Sequence, residues 1–290
     1  MPKHKFAFLA GLGFAGMEAA QVVGTLAELG YDGVEWSLAH FNPQAHSPEE
    51  LARVADTTRA GGLEISEIVV QQDLVQRDAS RMDASCTLIE DCIKAAADNN
   101  VPALNLFTGP PPWDPGAPQL GQDISHGEAW GLVRQAFERL LPLAEDRQVY
   151  LAVEAVWGML ARDYYTLQEF FRQVDSPYLA VNMDPSHFAL YRNDVPWTVK
   201  QLAPKIVHVH LKDAIGLDTR QPGDFIFPLL GEGMIDWTAF FGALDEIGYE
   251  GFCSVEFESF TYYNTVLKGD IKQAARLSME QIKALTGDSQ

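Results

Sequence analysis

One alternation constrains this chain more than anything else in it. Short apolar runs of strand length recur eight times, and a longer segment with helical periodicity follows each. The spacing predicts strands over Lys5–Ala10, Asp32–Ser37, Leu63–Val70, Val101–Phe107, Val149–Glu154, Tyr178–Met183, Lys205–Leu211 and Gly251–Phe257. Helices are expected over Met17–Leu29, from Ser47 to about Ala60, and over Ala79–Asn99, Glu128–Asp146, Leu167–Val174, Val195–Leu202, Trp237–Ile247 and Ile271–Leu285. Ser47 with Glu50 gives the second helix a capping box. The Pro- and Gly-rich stretch Gly109–Gly121 must be a loop, and Lys212–Ile235 reads as another. No linker or low-complexity tract separates the units. Eight strand–helix units in 290 residues predict one domain over 1–290, an α/β fold closed as a (β/α)8 TIM barrel.

Such barrels place their chemistry where strands end, at the carboxyl face. Strand side chains alternate, so residues two apart share a direction. With Leu151, Val153 and Ala155 facing the helices, Ala152 and Glu154 face inward. The same parity turns Asn182 and Asp184, then His208, His210 and Lys212, then Ser254 and Glu256 toward the barrel axis. Glu154, Asp184, His210 and Glu256 would form a ring at one end, above a layer of Ala152, Asn182, His208 and Ser254. Bare carboxylates so arranged repel and raise each other's pKa, a cost that a divalent cation removes. Three carboxylates and one imidazole make an oxygen-rich site suited to Mn²⁺ or Mg²⁺, with Co²⁺ and Zn²⁺ also compatible.

Composition narrows the partners. Forty acidic against 21 basic residues give a net charge of −19, which disfavours nucleic acid and anionic membranes. Hydrophobic residues at 47% supply a large core. Three cysteines form no C-x-x-C or disulfide pattern, so a reducing, cytoplasmic location is expected. The apolar run up to Met17 carries three glycines and leads into a helix and a strand, so it is read as part of the fold and not as a signal peptide. No run reaches the ~18 apolar residues of a membrane span.

Four segments stand out together: Val153-Glu154-Ala155, Asn182-Met183-Asp184-Pro185-Ser186-His187, His208-Val209-His210-Leu211-Lys212-Asp213 and Ser254-Val255-Glu256. With Gly30-Tyr31-Asp32-Gly33-Val34-Glu35 and Gly231-Glu232-Gly233-Met234-Ile235-Asp236-Trp237, the chain resembles the xylose isomerase-like TIM-barrel superfamily of sugar isomerases and epimerases. The resemblance implies that Glu154, Asp184, His210 and Glu256 hold the metal, Mn²⁺ first. It makes Glu154 and Glu256 the proton-transfer pair and brings His187 to substrate oxygen. It also implies a homo-oligomer, a dimer or tetramer. In the ketose 3-epimerases an arginine lies six residues past the ligand histidine; here Gly216 stands there, and the nearest arginine is Arg220. Lys212-Asp213 instead resembles the inosose dehydratase and isomerase branches.

The expected activity is metal-dependent isomerisation or epimerisation of a small polyhydroxylated carbonyl compound through an enediolate. Loss of a β-hydroxyl from the same intermediate would make the enzyme a dehydratase. Lys212 would stabilise an oxyanion or protonate a leaving hydroxyl, Glu35 and Arg220 would touch substrate, and Trp36, Trp113 and Trp157 would wall the pocket. Lys212 paired merely with Asp213 is the plain structural alternative, as is a core role for His208.

Three competing readings are open to test. Gly11-Leu12-Gly13-Phe14-Ala15-Gly16 with Glu35 beyond it fits the dinucleotide fingerprint of an NAD-dependent oxidoreductase. An endonuclease IV-like nuclease would need extra histidines, for which only His40 and His46 lie nearby. A non-catalytic sugar-binding barrel would leave the ring of ligands unexplained.

Overall fold

Eight parallel strands close on themselves into a barrel in which, apart from the seam between the first and last, each strand lies beside its neighbour in the chain. The computed structural model describes residues 4–221 and 223–287. The barrel strands are β1 (Lys5–Leu9), β2 (Gly33–Ser37), β3 (Glu64–Val69), β4 (Ala103–Leu106), β5 (Tyr150–Glu154), β6 (Leu179–Met183), β7 (Ile206–Leu211) and β10 (Phe252–Val255). Between β7 and β10, β8 (Ile215–Gly216) and β9 (Phe225–Ile226) pair antiparallel, so the stretch expected to be pure loop contains a small hairpin. Two six-residue helices, Pro185–Leu190 and Phe260–Thr265, follow β6 and β10; they are too short to leave a periodic signal.

Local chemistry explains the boundaries. Ser47 and Glu50 form the expected reciprocal capping box. Asp78, Asp163, Asp194, Asp236 and Asp270 each accept a backbone N–H at a helix start, satisfying a donor the helix leaves unpaired. Where β2 passes β10 only glycine fits at position 33, because a Cβ there would lie 2.6 Å from the Phe252 ring. Strands β4 and β10 are shorter than expected. Glu256 lies just past β10, yet its N–H donates to Leu211 O at 3.2 Å and keeps it beside β7.

The register aligns the site. Glu154 pairs with Asn182, Asn182 with His208, and His210 with Ser254 across adjacent strands. The outward residues Val153, Val181, Val209 and Val255 sit in the large hydrophobic core between barrel and helices. The inward residues make a polar interior: Glu35, Glu67, Asn182, His208, His210 and Ser254 are all at most 1% exposed.

The long loop after β7 hangs on one carboxylate. Asp213 Oδ1 accepts from Ala214 N and Ile235 N, and Oδ2 from Gly231 N, Gly233 N and Trp237 Nε1, at 2.9–3.2 Å. Gly233 is required there, since a Cβ would fall 2.0 Å from Asp213 Oδ1. Asp213 therefore serves the loop and forms no ion pair with Lys212.

Candidate active site

At the carboxyl end of the barrel, Glu154 and Glu256 face one another across His210. Imidazole Nδ1 lies 3.3 Å from Glu154 Oε1 and 3.4 Å from Glu256 Oε2. Asp184 caps the helix Pro185–Leu190 through Oδ1, which accepts from Ser186 N at 2.8 Å, and this turns Oδ2 into the site. One helical turn on, His187 Nε2 stands 3.4 Å from Asp184 Oδ2 and 3.5 Å from Glu154 Oε1. Ligand atoms of Glu154, Asp184, His187 and Glu256 lie within 4.8 Å of one another. Those of Glu35, Glu67, His208 and His210 form a second such group deeper in the barrel, so His210 sits at the join between the two.

The second oxygen of Glu154 is held separately. Gln71 Nε2 and Asn105 Nδ2 both donate to Oε2 at 3.1 Å. Sequence reasoning missed both residues. The signal for Asn105 was a polar side chain inside an apolar strand; Gln71, just beyond β3, left none.

Lys212 is the main source of positive charge. Its buried ammonium contacts Glu256 closely and lies 3.0 Å from Asp184 Oδ2, 3.1 Å from Glu258 Oε2 and 3.2 Å from His187 Nε2. It also sits over the Phe227 ring, 4.7 Å from the centroid. Burial alone would push the lysine pKa down, but Asp184, Glu256 and Glu258 raise it well above its ordinary value. Burial likewise pushes the Glu256 carboxyl up, and Lys212 outweighs it, bringing it down to about 2. For Glu154, burial is opposed by His210 and His187, which hold it well below the usual range. Glu258 goes the other way: burial raises it more than Lys212 lowers it. It continues the inward parity of Glu256 by two residues, a signal available in the sequence.

The donor set fits a divalent cation. Three carboxylates and an imidazole converge, and the buried Asp184 Oδ2 has the ammonium as a charge neighbour but accepts no hydrogen bond. Glu154, Asp184 and Glu256, with His210 or His187, are the residues that would hold the ion.

A cavity of about 600 Å³ opens above these groups, a volume ordinary for small-molecule sites. Glu154, His187, Lys212, Glu256 and Glu258 line its floor; Leu9, Leu12, Val69, Val156, Trp113, Trp157, Phe227 and Phe260 line its walls. Three expected contacts lie elsewhere. Glu35 is fully buried beneath His210, with Oε1 2.9 Å from Nε2, and does not line the cavity. Arg220 borders a neighbouring cleft with Asp218 and Phe225, because the hairpin carries it outward. Trp36 is a core residue, donating to Thr58 Oγ1 and packing against His40. His208 is a core histidine, bonded through its ring to Asn182 and Ser66 and pushed down to about 4 by burial.

The competing readings lose their footing in the same geometry. Gly11 packs against Ser37, Gly13 packs against Ile271 with φ +99°, and the following helix starts only at Ala19. The strand before that loop belongs to a closed barrel, and the acidic residue needed for a ribose is spent on His210, so the dinucleotide fingerprint is not formed. His40 bonds Met17 O and His46 accepts from Asn42 N, so neither supplies an extra metal ligand. All three cysteines are free and buried. Among the described residues, no helix is long and apolar enough to cross a membrane.

The profile described as xylose isomerase-like TIM barrel matches residues 23–285. The chain belongs to this family. Within the family it is similar to the L-ribulose-5-phosphate 3-epimerase UlaE of Shigella flexneri, 24% identical over 77% of this chain and 76% of that protein. An inosose dehydratase of Clostridium beijerinckii is 28% identical over 48% and 50% of the two chains. The chain spans about half the length of most of the curated relatives it matches. Among solved structures, the IolI protein with a zinc atom superposes with a TM-score of 0.77 at 18% identity, covering 98% of each chain. The D-psicose 3-epimerase of Clostridium cellulolyticum H10 gives 0.77 at 16% identity, covering 97% and 98%. These likenesses establish the xylose isomerase-like fold; the family's enzymes among these relatives are epimerases and dehydratases.

Proposed function

We propose that this protein is a divalent-metal-dependent isomerase or epimerase of a small polyhydroxylated carbonyl compound. The observation that carries the reading is the pair Glu154 and Glu256, both lining one cavity and both within 3.4 Å of the same His210 nitrogen. A cation bound by the carboxylates would act as a Lewis acid toward the substrate carbonyl. The protein's own part is proton transfer. Glu256, ionised beside Lys212, takes the proton from the carbon next to the carbonyl. With Oε2 of Glu154 held by Gln71 and Asn105, Oε1 is the atom that exchanges a proton on the opposite side. Return of the proton to the other face gives an epimer; return to the neighbouring carbon gives an isomer.

A second reading has its own support. Lys212 is a buried ammonium that reaches the cavity floor, placed to protonate a departing β-hydroxyl, and some relatives are named dehydratases. Proton NMR in D₂O with Mn²⁺- or Mg²⁺-loaded protein and a panel of ketoses and inososes separates the two. Deuterium uptake with an epimeric or isomeric product supports the first; an unsaturated product supports the second. We infer a cytoplasmic protein whose partner is a small carbohydrate, with no nucleic acid or membrane, and a homo-oligomer on the family resemblance. The net charge and the buried thiols support the first part of that reading.

A further inference from the structure

Resting on the proposed function, the cavity also speaks to what its substrate carries. Among the described residues, Lys212 is the only lysine or arginine lining it. That ammonium is already engaged by Asp184, Glu256 and Glu258. Three carboxylates, Glu154, Glu256 and Glu258, stand on the same floor. Arg220, the cation that a phosphate would need, lines the neighbouring cleft beyond Trp157. A bound divalent cation and Lys212 would together balance Glu154, Asp184 and Glu256, leaving Glu258 as the carboxylate without a matching charge. A phosphate dianion seated here would therefore face Glu258 with no further lysine or arginine to receive it, in a partly desolvated site where such repulsion is least screened.

The walls favour a different ligand. Trp113 and Trp157, 5.9 Å apart, and Phe227 line the cavity, and Phe225, on the side of the neighbouring cleft, backs them at 4.9 Å from Trp157 and 5.4 Å from Phe227. Phe260, half exposed, lines the same cavity. Such surfaces receive the C–H faces of a sugar or cyclitol while the polar floor receives its hydroxyls. We propose that this site takes uncharged, unphosphorylated keto-polyols and rejects their phosphate esters, with Glu258 as the residue that enforces the rejection. In this it would differ from the relative named for L-ribulose 5-phosphate.

Tryptophan fluorescence of Mn²⁺-loaded protein, titrated with L-ribulose, D-psicose, an inosose and the 5- or 6-phosphate esters of the two ketoses, reads the binding order. Deuterium exchange with the same compounds reads turnover. The expected result is that at least one free compound binds about tenfold or more tightly than the esters and exchanges faster. An ester that binds as tightly as its free sugar and exchanges overturns this inference and leaves the proposed function standing. If no compound binds or exchanges, both fall together. Glu258→Lys should narrow the ratio of free sugar to ester by about tenfold. Glu258→Gln, which adds no charge, should narrow it less. A ratio unchanged in both folded variants overturns the role given to Glu258.

Discussion

Inside the barrel, Glu35 Oε1 lies 2.9 Å from His210 Nε2, with both side chains fully buried, while Nδ1 of the same ring faces Glu154 and Glu256. A carboxylate behind a ligand histidine fixes which nitrogen is offered to the metal. Glu35→Gln should weaken Mn²⁺ or Zn²⁺ binding about 10- to 100-fold without unfolding the protein. Calorimetric titration with metal, alongside circular dichroism, measures this; unaltered metal affinity would remove Glu35 from the site.

The proposed proton-transfer pair makes a sharper demand. Glu154→Gln and Glu256→Gln should each lower kcat by about 10²-fold or more. If the two residues serve opposite faces, one variant should retain wash-out of the substrate's α-proton into D₂O while losing net epimerisation. Retention of full turnover in either variant would reassign the chemistry.

Under the proposed function, Lys212 should set the acid limb of the pH profile. It holds the Glu256 carboxyl down to about 2, so Glu256 stays ionised through mild acid. Without that cation the carboxyl pKa rises, and protonation removes the base at higher pH. Lys212→Met should therefore shift the acid limb of kcat/KM upward, measured from pH 4 to 8. An unshifted limb, whatever the drop in rate, would mean that Lys212 does not tune Glu256.

Glu67 is a stability liability. It is fully buried, Oε1 has no hydrogen-bond partner, and Oε2 faces His208 Nδ1 at 3.0 Å, a ring that burial keeps uncharged near neutral pH. Burial first, then Glu35, raises its pKa well above the ordinary value. The linkage follows: below the unfolded pKa the neutral acid costs little, and the penalty grows as pH climbs toward the folded pKa. Glu67→Gln should raise stability by about 1–3 kcal/mol near pH 8 and by less at pH 5. Thermal melts at the two pH values give the comparison; equal gains at both would contradict the burial argument.

Asp213 carries five hydrogen bonds to the loop after β7. Asp213→Ala leaves those donors unpaired, and a loss of about 2–3 kcal/mol is expected, with faster proteolysis between residues 214 and 236. Wild-type melting and cleavage rates in this variant would show that the loop is held by other means.

Much of the fold and of the site is legible in the sequence itself. The alternation of Val207, Val209 and Leu211 against His208, His210 and Lys212 fixed both the strand and its inward face, because parity is a purely local property. Glu154, Asp184, His187, Lys212 and Glu256 come together as that parity and the family resemblance implied. The sequence misplaced Glu35, Arg220 and Trp36 for a shared reason. Each stands near a strand end or loop, and only packing decides whether such a side chain turns into the cavity, beneath it or away. Gln71 and Asn105 were missed for a related one, Asn105 despite its polarity inside an apolar strand: their partner, Glu154, is 83 and 49 positions away.

The anchoring of the loop on Asp213 separates two jobs within twenty-odd residues. One end of the segment, next to Lys212, is bolted to the cavity floor, and the 231–237 stretch returns to the same bolt. The hairpin strung between them is held differently, by Asp218, which accepts from Tyr191 and donates its N–H to Leu190 O at 3.2 Å, and by Phe225 beside Trp157. Its exposed tip, away from Phe227 and the Asp218 contacts, can therefore vary without loosening Asp213 or Lys212, which makes it the place to graft or exchange residues at the mouth of this barrel.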